Sequence, residues 1–245
     1  VQERPELATV LGLPVHLLRN YPNWLLECIH QRQGVHVVTL NAEMAIQAEQ
    51  NPDLAAVIRK AELVIPDGAG VVLYLKLRGR RVERCPGIEL AEALLRQASD
   101  LEQPASVFFY GAAPDVIQSA VSNWQQRLPK LNLAGVQHGY LPPEDQPQLW
   151  QRLKELQPQI ILVGLGVPRQ ELWIAQYRYL CPNSIWIGVG GSFDVWAGVK
   201  TRAPGWLRNN NLEWVYRLYQ EPWRWRRMLA LPKFAWRALI SWRQS

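Results

Sequence analysis

Between Val35 and Val189, short apolar runs alternate with longer stretches in which apolar residues recur every three or four positions. The runs at 35–40, 63–65, 105–110, 133–137, 160–163 and 185–189 are rich in Val, Ile, Leu and Phe. They are short enough to be strands buried on both faces. The stretches at 42–60, 87–98, 115–127, 144–156 and 169–179 have helical spacing. Several carry punctuation: Asn51-Pro52-Asp53 breaks the first, while Pro114-Asp115 and Pro142-Pro143-Glu144-Asp145 put proline and acids in a first turn. This alternation predicts an α/β fold, a mostly parallel sheet covered by helices. Ahead of Val35 the chain reads as a helical preface with apolar faces at 16–18 and 24–29. From Asn210 the pattern is again helical, with Leu212, Val215, Leu218 and Tyr219 as an apolar stripe and Pro222 as a bend or restart.

Charge divides the chain more sharply than hydropathy. Of 27 Lys and Arg, nine follow position 200, where the acids are Glu213 and Glu221 alone, so this tail carries +7 and the remainder −1. Six of the 12 Trp also lie there. We therefore expect a domain over 1–200 and a distinct basic, tryptophan-rich appendage over 201–245. With 245 residues and 48% hydrophobic content the chain can bury a full core, which excludes wholesale disorder. Cys28, Cys85 and Cys181 are scattered and lack C-x-x-C spacing, which argues against a disulfide framework or zinc site and for a reducing compartment. No signal-like apolar segment and no run of the roughly 18 apolar residues needed to span a bilayer is evident, so a cytoplasmic location is expected.

The chemistry collects where the apolar runs end. Ligands of open parallel sheets bind beyond the carboxyl ends of the strands. Thr39 and Asn41 close one run and Asp67 follows another, directing a hydroxyl, an amide and a carboxylate toward one cleft. Pro66-Asp67-Gly68 taken alone is equally a turn triplet. Gly111 opens a small-residue turn before a helix whose free amides can face an anion. Tyr140 supplies an aromatic for a base or ribose; Gly164 and Gly166 precede Pro168-Arg169-Gln170-Glu171; and Gly190-Gly191-Ser192-Phe193-Asp194 repeats the theme. Together these turns suggest a nucleotide diphosphate held by backbone amides. Arg169 breaks the G-x-G-x-x-G fingerprint, which disfavours a nicotinamide-dependent enzyme, and the absence of G-x-x-x-x-G-K-[ST] disfavours a P-loop ATPase. No D-x-D occurs and His16, His30, His36 and His138 lack ligand spacing, so no metal and no cofactor are expected.

For the tail, three readings compete: a packing helix with a solvated charged face, nucleic-acid binding through Arg and stacked Trp, and docking on a membrane surface. Arginines mixed with interfacial Trp and Leu favour the membrane, and the body offers no matching basic face for nucleic acid. A nucleotide-binding module with a nucleic-acid-binding tail stays as the alternative function.

The ordered set Thr39-Leu40-Asn41-Ala42-Glu43, Ile65-Pro66-Asp67-Gly68-Ala69-Gly70, Arg84-Cys85-Pro86-Gly87, Gly164-x-Gly166-x-Pro168-Arg169-Gln170-Glu171, Gly190-Gly191-Ser192-Phe193-Asp194, Arg202-Ala203-Pro204, Glu213-Trp214-Val215-Tyr216-Arg217-Leu218 and Glu221-Pro222-x-Arg224-x-x-Arg227 resembles the WecG/TagA/CpsF family of bacterial glycosyltransferases, glycosyltransferase family 26. Pro86 and Ile88-Glu89 depart from the residues that many relatives carry beside Gly87. The resemblance implies a Rossmann-like fold. It implies metal-free, inverting transfer of an N-acetylmannosamine-type sugar from a UDP donor to a polyprenyl-diphosphate-linked N-acetylglucosamine. It also implies a C-terminal appendage that docks on the inner face of the plasma membrane and closes the site, with a homo-oligomer possible.

Within that frame Asp67 is the expected base, with Thr39, Asn41 and Gln170 orienting substrates. Gly111, Tyr140, Gly164, Gly166, Gln170 and Asp194 are the expected donor contacts, and Arg84, Arg217, Arg224 and Arg227 the expected contacts to the acceptor or its diphosphate.

Overall fold

The six apolar runs are the strands of one parallel sheet in the computed structural model of the chain, which describes residues 3–210 and 212–243 apart from the side chains at 209, 224 and 241–243. In chain order the elements are β1 (Glu6–Val10), β2 (Leu13–Leu17), α1 (Tyr21–His30), β3 (Val35–Leu40), α2 (Ala42–Gln50), α3 (Pro52–Lys60), β4 (Leu63–Pro66), α4 (Ala69–Leu77) and α5 (Gly87–Ser99). There follow β5 (Val107–Gly111), α6 (Pro114–Arg127), β6 (Leu133–Gln137), α7 (Gln146–Leu156), β7 (Ile160–Gly164), α8 (Arg169–Tyr177), β8 (Ile185–Gly188) and α9 (Ser192–Trp196). The tail forms α10 (Gly205–Asn209), α11 (Glu213–Gln220), α12 (Trp225–Met228) and α13 (Ala230–Arg243), with Pro222 opening a 3-10 turn between α11 and α12.

The strand order is β4-β3-β8-β7-β5-β6. Successive side chains point to opposite faces, so each strand but β6, the half-buried far edge, feeds two cores. Val35, Val37, Ile65, Phe109 and Ile187 pack under α1, α5, α6 and α9, while Val38, Leu40 and Val64 pack under α2, α3 and α4. Phe108, Ile161, Val163 and Trp186 pack under α7 and α8. This double burial explains why the runs are continuous rather than alternating. The strand order also makes the first and last strands of the sheet neighbours. The chain leaving β3 turns onto the α2 face and the chain leaving β8 turns onto the α9 face. A crevice therefore opens between their carboxyl ends, as at any point where an open sheet reverses its winding.

The helical preface is half wrong. Only Tyr21–His30 is helical, capped by the Asn20 side chain with Pro22 in its first turn. Residues 6–17 instead form an antiparallel hairpin turned at Leu11 and Gly12, both at positive φ (49° and 76°). Such a turn suits the twist of paired strands. Ala8, Val10, Leu13, Val15 and Leu17 all point into the core, a period-two pattern that the helical reading overlooked. The hairpin covers the outer edge of β4, where the His16 ring accepts a hydrogen bond from the Val64 backbone N–H (2.9 Å). Burial lowers the His16 pKa and keeps that ring neutral.

The stretch at 42–60 is two helices. Asn51 ends α2 and caps α3, its side chain accepting from Leu54 N–H. Helix α4 was not foreseen; its sequence, AGVVLYLKL, has almost no polar face. Part of its apolar surface is met by α13, whose Phe234 is 4% exposed and lies edge-on to Tyr74 with ring centroids 6.2 Å apart.

Candidate active site

The carboxyl ends of β3, β4 and β8 open into a cavity of about 320 Å³, overlaid by α11, α12 and the start of α13. Asp67 sits at its base, half-buried, one residue beyond β4. Its backbone N–H continues the ladder to Leu40 C=O (3.0 Å), and its Oδ1 faces the Gly87 N–H at the start of α5 (3.4 Å). Desolvation raises the Asp67 carboxyl to about 6; Arg217 and Arg84 oppose that rise and Glu213 adds to it. The group is thus ionised at neutral pH yet basic enough to take a proton.

Thr39 and Asn41 flank Asp67 on the same cavity wall. Asn41 Oδ1 caps α2 by accepting from Met44 N–H (2.9 Å), which fixes the side chain. Thr39 touches the start of α5 so closely that a Cβ on Gly87 would lie 2.7 Å from Thr39 Cγ2, so only glycine lets that helix begin against the strand end.

Gln170 also lines the cavity, with its amide engaged by neighbouring loops. Its Oε1 accepts from Gly166 N–H (3.1 Å) and Gly190 N–H (3.0 Å), and its Nε2 donates to Glu171 Oε1 (3.0 Å). Glu171 in turn pairs with His36 at 2.8 Å, both fully buried. Gln170 thus clamps the loops after β7 and β8 from inside the cavity wall. Gly188 allows it, since a Cβ there would collide with the Gln170 amide.

Cations line the side facing the tail. Arg84 and Arg217 both reach the cavity, and Arg227 pairs with Glu43 there (2.6 Å). The Arg224 side chain lies outside the described residues. Gly166 lines the cavity as well, but Gly111, Tyr140, Gly164 and Asp194 do not. Gly111, at φ 133°, and Gly164 lie backbone against backbone at the ends of β5 and β7, where a Cβ on Gly111 would strike the Gly164 carbonyl. Tyr140 is 75% exposed beyond the end of β6. Asp194 pairs with Lys200 (3.4 Å).

A family model for the WecG/TagA/CpsF glycosyl transferases matches residues 8–245. The chain belongs to this family. It is similar to the N-acetylglucosaminyldiphosphoundecaprenol N-acetyl-beta-D-mannosaminyltransferase of Bacillus spizizenii (strain ATCC 23059 / NRRL B-14472 / W23), with 40% identity over 207 residues that cover 84% of this chain and 79% of the relative. It is likewise similar to the protein of that name in Bacillus subtilis (strain 168), with 38% identity over 208 residues, 84% of this chain and 80% of the relative. The chain is a glycosyltransferase, and the resemblance drawn from its motifs holds over nearly its whole length.

For a glycosyltransferase of this family, sequence reasoning passed over several residues that the fold brings to the cavity. Glu213, Arg202, Lys200 and Glu43 all line it. One signal was available: Glu213 and Glu221, the two acids of a tail with nine bases, both end at this cavity, Glu221 pairing with Lys200 at 3.2 Å.

Proposed function

We propose that this glycosyltransferase moves an N-acetylmannosamine-type sugar from a UDP donor to the hydroxyl of a polyprenyl-diphosphate-linked N-acetylglucosamine, inverting the anomeric centre, in the synthesis of a cell-surface polysaccharide. The sugar and acceptor follow the names of the two Bacillus relatives. The observation that carries the reading is the Asp67 carboxyl, raised to about 6 and set between Thr39, Asn41 and a group of arginines. In one in-line displacement the acceptor oxygen bonds to the anomeric carbon, its proton passes to Asp67, and the bond to the donor diphosphate breaks with UDP keeping the electron pair. Arg84, Arg217, Arg224 and Arg227 offset the charge that gathers on the phosphates of donor and acceptor. No step calls on a metal ion; the displacement uses side chains alone.

The nucleotide extends from the cavity past Gly166 and Gly164 toward Gly111 and Tyr140, with Asp194 near the ribose or base. Residues 201–245 act as a membrane-docking appendage that closes the site. Support comes from its exposed Trp206, Trp214, Trp223, Trp225 and Trp236, interleaved with arginines, and from the described residues having no helix long and apolar enough to cross a bilayer. The enzyme then works peripherally on the inner face of the plasma membrane, where its lipid-linked acceptor resides.

A panel of UDP-sugars assayed with a polyprenyl-diphosphate-N-acetylglucosamine analogue tests this. UDP-N-acetylmannosamine is expected to give the highest kcat/KM, and transfer from a different nucleotide sugar only would refute the donor assignment. Truncation after Thr201 is expected to leave a folded UDP binder without transferase activity.

A further inference from the structure

We propose that Glu213 is a positioning residue of the active site: its carboxylate, carried in by α11, gathers Arg84, Arg202 and Arg217 into one cluster beside Asp67. This rests on the reading of Asp67 as the base.

Glu213 opens α11 and is only 9% exposed. Its Oε1 lies 2.9 Å from Arg217 on the next turn of the same helix, and its Oε2 lies 3.5 Å from Arg84 and 4.0 Å from Arg202. The three guanidinium groups come from three places. Arg84 belongs to the loop ahead of α5, Arg202 to the strap between α9 and α10, and Arg217 to α11. Left to themselves, three cations at this spacing repel one another and turn toward water. One shared carboxylate reverses that preference and fixes their common centre.

The acid itself is well placed to stay ionised. Burial pushes its pKa up, but Arg217, Arg202 and Arg84 outweigh that and hold it below the usual carboxylate range. The first turn of a helix also favours a negative charge. Glu89 supports the arrangement from the other side, accepting from Arg202 (2.8 Å) and Arg208 (3.3 Å). An incoming diphosphate thus meets cations already aimed, so little reorganisation is needed when charge develops on the leaving oxygen. Glu213 touches no reacting atom in this scheme. It acts through the arginines, and it ties closure of α11 to completion of the cleft.

Its negative charge has a second consequence that can be read separately. Asp67 faces Arg84 and Cys85 from the loop ahead of α5, the Gly87 N–H of α5, and Glu213 and Arg217 from α11. Burial raises the Cys85 thiol to about 12, so it stays neutral. Glu213, ionised throughout, favours the protonated form of Asp67.

The test uses the full chain, UDP-N-acetylmannosamine and the lipid-linked acceptor analogue. Glu213→Gln keeps the shape and removes the charge. We expect kcat to fall roughly 10- to 100-fold, as for a displaced catalytic group, with the acid limb of the pH–rate profile moved to lower pH. A merely structural role would lower the melting temperature and leave that limb in place. Glu213→Asp keeps the charge and shortens the reach, so kcat should fall while the limb stays put; this variant carries the test if the first does not fold. Wild-type kcat in either variant, or an unmoved limb in E213Q, overturns the proposal. Asp67→Asn run in parallel separates the two ideas. Near-normal turnover there removes Asp67 as base, whereas an inactive D67N beside a fully active E213Q removes only the role of Glu213.

Discussion

Asp67 combines two properties that pull against each other. A carboxylate raised to about 6 is a useful base because the surrounding protein has stripped water from it, and the same desolvation makes its charge costly. The folded pKa lies above the ordinary aspartate value of 3.8, so the group stabilises the fold below that unfolded value and the contribution is lost as pH rises through about 6. Asp67→Asn is therefore expected to melt higher than the parent at pH 8, by an amount on the order of 2–3 kcal/mol, and alike at pH 3.5. Turnover should fall by roughly 10²–10⁴ with UDP affinity little changed. Calorimetry at the two pH values and steady-state kinetics check the two halves independently; a variant that is active and no more stable would remove Asp67 from this role. Asp67, Thr39 and Asn41 were legible because a polar residue after a buried run has to face the crevice. The close approach of Gly111 to Gly164 was not, since a glycine that lets two strand ends meet looks in sequence like one that admits a phosphate. The hydrogen bonds of Gln170 were hidden for a related reason: spacing puts it at the site, but says nothing of the two backbone amides that engage its oxygen.

At the level of elements, five of the six strands of the sheet were readable because burial on both faces leaves no polar alternation to confuse them with a surface strand, and half-buried β6 by its place in the strand–helix alternation. Hairpin β1–β2 hid behind Pro14 and the short length of its strands, and α4 behind its lack of a polar face. The most consequential contact between elements is also one that local pattern could not reveal. Phe234 of α13 packs on Tyr74 and beside Gly70, three residues past Asp67. Arg237–Glu49 (3.1 Å) adds a surface pair between α13 and α2, and such a pair contributes at most about 1 kcal/mol. Phe234→Ala removes the larger share, since truncating a buried Phe costs about 3–5 kcal/mol. Because α13 is held against α4 and α2 through Phe234–Tyr74 and Arg237–Glu49, we expect the loss to appear locally: its amides should exchange with solvent far faster while those of β3 and β7 keep their protection. Hydrogen exchange followed by mass spectrometry reads this directly, and unchanged protection in α13 would show that the ring does not hold the helix.

For the whole molecule, the separation of a near-neutral body from a +7 tail becomes a spatial arrangement. Arg202, Arg208, Arg227 and Arg237 pair with Glu89, Glu43 and Glu49, while Arg226 and Lys233 stay exposed near tryptophans, Arg226 over the Trp225 ring at 5.5 Å. In the proposed docking, the paired group would hold the appendage on the body, and Arg226 and Lys233 would meet anionic lipid. Replacing Arg226 and Lys233 together by Gln is expected to weaken binding to phosphatidylglycerol vesicles by roughly 2 kcal/mol, or about 30-fold, and the parent's binding should fall as salt rises. Co-sedimentation measures it. Equal binding to single-stranded DNA at matched salt would instead favour a nucleic-acid partner.

The His16–Val64 bond, finally, bears on how the protein fails. An uncovered strand edge invites pairing with another chain, and here one backbone amide of β4 is sealed by an imidazole that has to be neutral to accept it. The folded pKa of His16 is below 6.5, so the stability that it lends is complete above that value and drains away as pH falls beneath it. Mild acid should then loosen the hairpin before the sheet, exposing β4 as a template for aggregation while the cleft is still intact. Light scattering at pH 5, compared with His16→Gln across the same range, would show whether shelf life in acid is set at this edge, far from any chemistry the enzyme performs.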